Sequence, residues 1–206
     1  VTPLYDTHIS HGAKMIDFSG YMLPVWYSSV KAEHSAVRAR CGVFDISHMG
    51  VIRITGPKAE TLLRQVTCSS TDKAKRGIMT YSMVLSPTGG ILDDIMMGQV
   101  TDNEWIVIAN ASNKNKITDW FRSHNPDQVP IELITTHAMI AVQGPLAANV
   151  IGQILGSQWE GIPRFAIRAI DYSGSPGYIM RSGYTGEDGF ELVVPDTAVP
   201  ALFTAI

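Results

Sequence analysis

Two stretches of this chain repeat one pattern, and the repeat limits what it can fold into. VIRITGPKAETLLRQV runs from Val51 to Val66, and MIAVQGPLAANVIGQIL from Met139 to Leu155. Each reads as an alternating or apolar strand, then a polar residue with Gly-Pro, then an amphipathic helix. Pro57 and Pro145 are expected in the first helical turn, where the missing N–H would have no partner anyway. Ala59, Leu62, Leu63 and Val66 fall on one face of the first helix. Ala147, Val150, Ile151 and Ile154 do the same in the second.

The elements after each unit are alike in outline. After the first come strands at about 80–85, 91–99 and 104–109, a helix over 112–123 and a strand at 131–135. After the second come strands at 166–172, 177–181 and 190–194, then a helix running to residue 206. Strand–helix–strand–strand–strand–helix, twice, predicts an α+β fold of two antiparallel-sheet units with helices. The plainer alternative is that Gly-Pro helix starts recur by chance. Residues 1–50 precede both units and hold a helix near 29–40, with Val30, Glu33, His34 and Val37 at helical spacing. The expected division is a discontinuous first domain, 1–50 plus 138–206, around an inserted domain, 51–137.

A length of 206 residues suits one large or two small domains. Sixteen basic and nineteen acidic side chains leave a formal charge of −3 with no basic run, so no nucleic-acid surface is expected. No apolar stretch reaches the roughly 18 residues of a membrane helix. Cys41 and Cys68 are two, without CxxC spacing, which favours a reducing compartment. The start lacks both a Met and a secretory or transit pattern. DTAVPALFTAI, residues 196–206, reads as a helix just begun, so the polypeptide is expected to continue past Ile206.

No P-loop, GxGxxG, HExxH or GxSxG is present. His8 and His11 lie three apart without a supporting Cys or carboxylate cluster, so a surface or capping role is expected and no metal. FDISHMG, residues 44–50, holds Asp, Ser and His. Closeness in sequence does not make a triad, and a structural turn is favoured. SPTGGILDDIMM, residues 86–97, sets two carboxylates in an apolar run after a turn. In a strand, Asp93 shares a face with Ile91, Ile95 and Met97, and Asp94 shares the other with Leu92 and Met96. Both faces are apolar, so at least one acid sits where a charge is costly. RSGYTGEDGFELVVP, residues 181–195, is either a Gly-rich hairpin with solvated acids or an aromatic beside a fixed carboxylate. The second arrangement suits a flat heterocycle with adjacent N–H donors, which a carboxylate accepts through two parallel bonds.

TPLYDTHISHGAKMIDFSGYMLPVWY, GVFDISHMG, GGILDD, AVQGP and RSGYTGEDGFEL together resemble, in order and spacing, the glycine cleavage system T-protein family of aminomethyltransferases. The resemblance covers essentially the whole chain. Family members are longer, with a GARD-type motif and a C-terminal β-barrel that this sequence does not include.

The resemblance implies a reaction in which a lipoyl-carrying H-protein presents an aminomethyl group and the one-carbon unit passes to tetrahydrofolate. The products are 5,10-methylenetetrahydrofolate, ammonia and dihydrolipoyl H-protein. It implies that Asp94 is the catalytic aspartate and that Glu191 pairs with the pterin ring. Tyr81, Asn110 and Tyr184 match positions lining the folate pocket, and Asp93 is left a structural role. Loss of hydration on an apolar strand face would raise the pKa of Asp94 and suit it to proton relay. A nearby carboxylate would also stabilise an iminium-like carbon. Glu187 and Asp188, on the loop, are expected to be solvated. No metal is implied. The location implied is the cytoplasm in a bacterium or the mitochondrial matrix in a eukaryote. Two alternatives remain: another folate-dependent transferase or demethylase of the same superfamily, or a non-catalytic folate-binding module.

Overall fold

The computed structural model describes residues 1–71 and 76–206. The chain opens with α1 (Tyr5–Ser10), β1 (Lys14–Phe18), β2 (Tyr21–Trp26), α2 (Val30–Ala39) and β3 (Gly42–Asp45). β1 and β2 form a two-stranded antiparallel ribbon. Its turn, Ser19-Gly20, takes φ of +53° and +82°, the left-handed pair that matches strand twist in a two-residue hairpin. Asp17 Oδ1 accepts the Gly20 N–H at 3.0 Å and holds the turn. Ser29 caps α2, its hydroxyl accepting the Ala32 N–H at 3.2 Å.

The middle of the chain runs β4 (Gly50–Thr55), α3 (Ala59–Val66), β5 (Met79–Leu85), β6 (Ile91–Thr101), β7 (Glu104–Ala109), α4 (Lys114–Ser123) and β8 (Ile131–Ile134). The remainder runs β9 (His137–Gln143), α5 (Ala147–Leu155), a 3-10 turn at Ser157–Trp159, β10 (Ile167–Tyr172), β11 (Ser175–Met180), β12 (Gly189–Pro195) and α6 (Val199–Ala205). The β10–β11 turn repeats the first hairpin's device. Ser173-Gly174 takes φ of +56° and +78°, and Asp171 Oδ1 accepts the Gly174 N–H at 2.9 Å. Both turns have the sequence Asp–aromatic–Ser–Gly.

The chain divides into two compact units, Val1–His48 with Thr136–Ile206, and Met49–Thr135. The sheet of the first has the order β10-β11-β12-β9-β3, and that of the second β5-β6-β7-β4-β8. All neighbours are antiparallel. The two orders are one topology. β9 and β4 take the same place, each followed by its helix and then by three strands joined in sequence. The outer neighbour of that strand differs in origin: β8 comes after the repeat in one unit, and β3 comes before it in the other. The fold is the α+β class that the repeated pattern predicts.

The Gly-Pro pairs stand just ahead of the helices, not in their first turn. Gly56 and Gly144 take φ of +103° and +135°. Their carbonyls accept from Ala59 N at 3.1 Å and Ala147 N at 2.9 Å, closing a turn around each proline. Gly144 is also crowded. A Cβ there would stand 2.5 Å from the Arg40 carbonyl oxygen and 2.6 Å from that of Val37.

In the Met49–Thr135 unit, α3 buries Ala59, Leu62, Leu63 and Val66, the expected face. They pack with Ile117 and Phe121 of α4 on Ile52, Ile54, Val84, Ile95, Met97, Trp105 and Val107 of the sheet. Full burial stabilises by about 1.5–3 kcal/mol for each large apolar side chain. The helices thus cover one sheet face, and alternate residues of β5 and β6, among them Tyr81, Met83, Asp94 and Met96, point to the other. In α5 the expected face is less deeply buried: Ala147 and Ile151 are buried, Val150 and Ile154 only half-buried.

Candidate active site

Asp93 and Asp94 part company on β6. Asp93 is 3% exposed, on the face that carries Ile95 and Met97 into the core. Burying that charge would cost several kcal/mol without partners. The side chain accepts from Asn110 N at 3.0 Å, Asn110 Nδ2 at 2.9 Å and Asn113 Nδ2 at 2.6 Å. These donors come from the turn between β7 and α4, so the carboxylate ties that turn to β6.

Asp94 lies on the other face and is exposed. This corrects the expectation that apolar surroundings strip its water: the desolvated acid is Asp93. Leu92 and Met96, which share the Asp94 face, are only half-buried. Asp94 is nonetheless held. Asn110 Nδ2 donates to its Oδ1 at 2.9 Å, and the Tyr81 hydroxyl donates to its Oδ2 at 3.2 Å. Tyr81 stands across from Met96 and Asp94 across from Met83. Loss of water around the Tyr81 hydroxyl, then the charge of Asp94 and the bond donated to it, hold that hydroxyl above its ordinary pKa. Tyr81, Asp94 and Asn110 therefore form one hydrogen-bonded group, with Asn110 also gripping Asp93.

In the other unit, Glu191 is 7% exposed on β12. Its partners across the sheet, Ala141 of β9 and Met180 of β11, are apolar. The Ser182 hydroxyl donates to its Oε2. Burial pushes the Glu191 carboxyl above its ordinary pKa, and the Ser182 bond offsets part of that. Tyr184, on the loop before β12, is 78% exposed.

The two loop acids are not simply solvated. Arg181 grips Asp188 through two bonds, Nε to Oδ1 at 3.0 Å and Nη2 to Oδ2 at 2.6 Å. That grip, opposed by burial, holds the Asp188 carboxyl below its usual range. Arg181 Nη1 also donates to the carbonyls of Glu160 and Ile162, both at 2.8 Å. Glu187 Oε1 accepts from Arg38 at 2.6 Å. Gln143, at the end of β9, is 1% exposed and closes the loop from below. It donates to the Ser182 carbonyl at 2.9 Å and accepts from Thr185 Oγ1 at 2.9 Å.

A further cluster concerns His8 and FDISHMG. His8 is fully buried, not a surface residue. Its Nε2 lies 2.9 Å from Asp45 Oδ2 and its Nδ1 2.7 Å from the Tyr27 hydroxyl. Thr2 Oγ1 donates to Asp45 Oδ2 at 2.6 Å and Ser47 N to Oδ1 at 3.0 Å. Burial alone would raise the Asp45 pKa; the bonds from His8, Ser47 and Thr2 outweigh it and set it low. Tyr27 is pushed up to about 12 by burial and then by the charges of Asp45 and Glu33. His11 does sit at a helix end, the position following α1, with Nδ1 2.8 Å from the Thr7 carbonyl. Cys41 and Cys68 are both free. Among the described residues, no group of three or more His, Cys, Asp or Glu is placed to hold a metal ion. No helix among them is long and apolar enough to cross a membrane.

Two antiparallel sheets of one topology, with carboxylates held in place on their strands by hydroxyl and amide donors, define a two-unit α+β protein. The chain belongs to the family of the GCVT N-terminal domain, whose model matches residues 4–206. The aminomethyltransferase of Prosthecochloris aestuarii is 37% identical over 209 residues, covering 100% of this chain and 58% of that protein. That of Desulforamulus reducens is 36% identical over 206 residues, covering 100% and 57%. The glycine cleavage system aminomethyltransferase T from Bartonella henselae superposes with a TM-score of 0.92 at 32% identity, over 98% of this chain and 55% of that one. A heterotetrameric sarcosine oxidase from Corynebacterium sp. U-96 shares the fold, with a TM-score of 0.55 at 13% identity. The chain thus spans somewhat more than half the length of the aminomethyltransferases it matches.

Proposed function

We propose that this chain is the folate-handling part of an aminomethyltransferase of the glycine cleavage system, partnered by a lipoyl-carrying H-protein. In the reaction, the carbon of an S-aminomethyl group loses its bonds to sulfur and to nitrogen and gains bonds to two tetrahydrofolate nitrogens. The two folate N–H protons end on the thiol and on ammonia. Positive charge builds on the carbon between these events.

The observation that carries the reading is the posture of Asp94. It is exposed, so its carboxylate can meet a substrate, yet it is fixed by Tyr81 and Asn110. A fixed anion stabilises developing positive charge with little reorganisation, and it can accept a proton from a folate nitrogen and pass it on. Glu191 is suited to the amino and ring N–H edge of the pterin, since two parallel bonds match the width of a carboxylate. Tyr184, on the loop leading to β12, supplies an exposed aromatic ring. Asp93 acts through Asn110 and touches no reacting atom. The shared name of the relatives, aminomethyltransferase, points the same way.

The test is formation of 5,10-methylenetetrahydrofolate from aminomethylated H-protein, run on the full-length polypeptide beside N-methyl and S-methyl donors. Turnover with the aminomethyl donor is expected. Turnover with another donor alone moves the protein to a different branch of the superfamily, and folate binding without turnover makes it a binding module.

A further inference from the structure

We propose that Ser182 and Gln143 are the positioning residues of Glu191: the Ser182 hydroxyl fixes the carboxylate, and the buried Gln143 amide fixes Ser182. The ligand toward which Glu191 is positioned rests on the folate reading of the site.

Glu191 has no polar neighbour in register. Ala141 and Met180 flank it across the sheet. Among the described residues its donor is the Ser182 hydroxyl, which lies beyond the end of β11. A carboxylate among apolar side chains with one donor takes its orientation from that donor. The bond engages Oε2 on one side and leaves the remaining lone pairs to accept an N–H fork. The charged side chains of the same loop do not compete. Arg181 is committed to Asp188, and Glu187 to Arg38.

Ser182 could not do this from a loose loop, since the segment 182–189 contains three glycines. Gln143 removes that freedom. Both ends of its amide are used, toward the Ser182 carbonyl and the Thr185 hydroxyl. Gly183 and Gly189 flank the amide so closely that a Cβ at either would overlap it. Gly144 N donates to the Asp188 carbonyl at 2.8 Å, so the residue after Gln143 pins the far side of the loop as well. The order of dependence is Gln143, then the backbone at Ser182, then the Ser182 hydroxyl, then Glu191.

The experiment tracks the Glu191 carboxyl by carbon NMR across pH in ligand-free, full-length protein. Parent, Ser182→Ala, Ser182→Thr and Gln143→Ala are compared. Loss of the donor disfavours the ionised form. Ser182→Ala and Gln143→Ala are therefore expected to move the titration to higher pH, and Ser182→Thr to restore it. A serine that merely supports the fold would lower Tm without moving this titration. Calorimetry with tetrahydrofolate is expected to give roughly tenfold weaker binding for Ser182→Ala at neutral pH and parental binding for Ser182→Thr. An unmoved titration in Ser182→Ala overturns the proposal, and an unmoved one in Gln143→Ala removes Gln143 from it. A moved titration, in a protein whose Glu191→Gln variant binds tetrahydrofolate like the parent, upholds the positioning and refutes the folate assignment.

Discussion

Asp93 and Asp94 point to opposite faces of one strand and are joined through a single atom: Asn110 Nδ2 stands 2.9 Å from a carboxylate oxygen of each. The buried acid anchors the amide, and the amide orients the exposed one. On the proposed function, support and chemistry are thereby divided between neighbours.

The two acids should separate by mutation. Asp93→Asn places an amide where three N–H bonds converge and is expected to cost about 2–3 kcal/mol of stability. Asp94→Asn should leave the thermal midpoint near that of the parent and abolish most one-carbon transfer. Thermal unfolding and turnover of both variants in the full-length polypeptide check this. Parental turnover in Asp94→Asn would take Asp94 out of the mechanism.

Glu191→Gln should trade binding for stability, in a pH-dependent way. The folded pKa of Glu191 is raised. Its contribution is therefore fully present below the unfolded value, about 4.3, and is lost as pH rises through the folded value. Glutamine stays neutral, so the thermal midpoint of the variant relative to the parent should climb as pH rises through that window. Tetrahydrofolate binding should weaken by roughly 2–4 kcal/mol at neutral pH, where an N–H of the glutamine would meet an N–H of the pterin. A midpoint difference that stays flat with pH would mean that Glu191 carries no such penalty.

The repeat made the sheets legible, because a strand, a Gly-Pro turn and an apolar helical stripe are local signals. The strand β3 was not. Its four residues, Gly42–Asp45, carry no alternating pattern long enough to notice, and their pairing with β9 spans about a hundred residues. Which of Asp93 and Asp94 is buried was also hidden, since both faces of β6 carry apolar residues and the helices that choose between them come from elsewhere in the chain. The donors that hold Asp93, Asn110 and Asn113, lie in plain sight in the sequence, but nothing local says that they turn toward β6. Arg38 and Glu187 are 149 residues apart, and Asp45 lies 37 from His8. No spacing rule reaches so far.

The Asp45 cluster should set the acid limit of stability. The folded pKa of Asp45 is lowered. Its stabilisation is present above the unfolded value, about 3.9, and is lost as pH falls toward the folded one. Asp45→Ala is expected to cost about 3 kcal/mol at neutral pH, because His8, Thr2 and the Ser47 N–H lose their shared acceptor in a dry site. The loss should shrink as pH falls. Thermal unfolding between neutral pH and about pH 3, below the unfolded value, measures it, and a pH-independent cost would assign the effect to packing alone.

Asp188→Asn should be mild. Although the bond to Arg181 is two-pronged, the Asp188 side chain is 39% exposed and water screens the pair. A loss below about 1 kcal/mol is expected, present above the ordinary carboxylate range and fading as pH falls through the lowered folded value. Chemical denaturation at neutral and acid pH checks it. A cost of several kcal/mol would mean that the Arg181 bonds to the Glu160 and Ile162 carbonyls collapse with the pair.

The contact between Gly183 and Gln143 can be tested by a double-mutant cycle. Gly183 is not among the glycines with left-handed backbone, so an alanine there meets no φ penalty and reports overlap alone. Its Cβ would strike the Gln143 amide, which is buried and bonded at both ends and so cannot swing aside without losing bonds. Gly183→Ala is expected to cost about 1–3 kcal/mol. Gln143→Ala should cost about 1–2 kcal/mol through its two hydrogen bonds. With the amide already gone, the alanine at 183 has room, so the double variant should be more stable than the sum predicts by about 1 kcal/mol or more. Urea unfolding of the four proteins gives the cycle. Additivity within about 0.5 kcal/mol would mean that Gly183 and Gln143 do not meet, and that the loop bearing Tyr184 is held by other contacts.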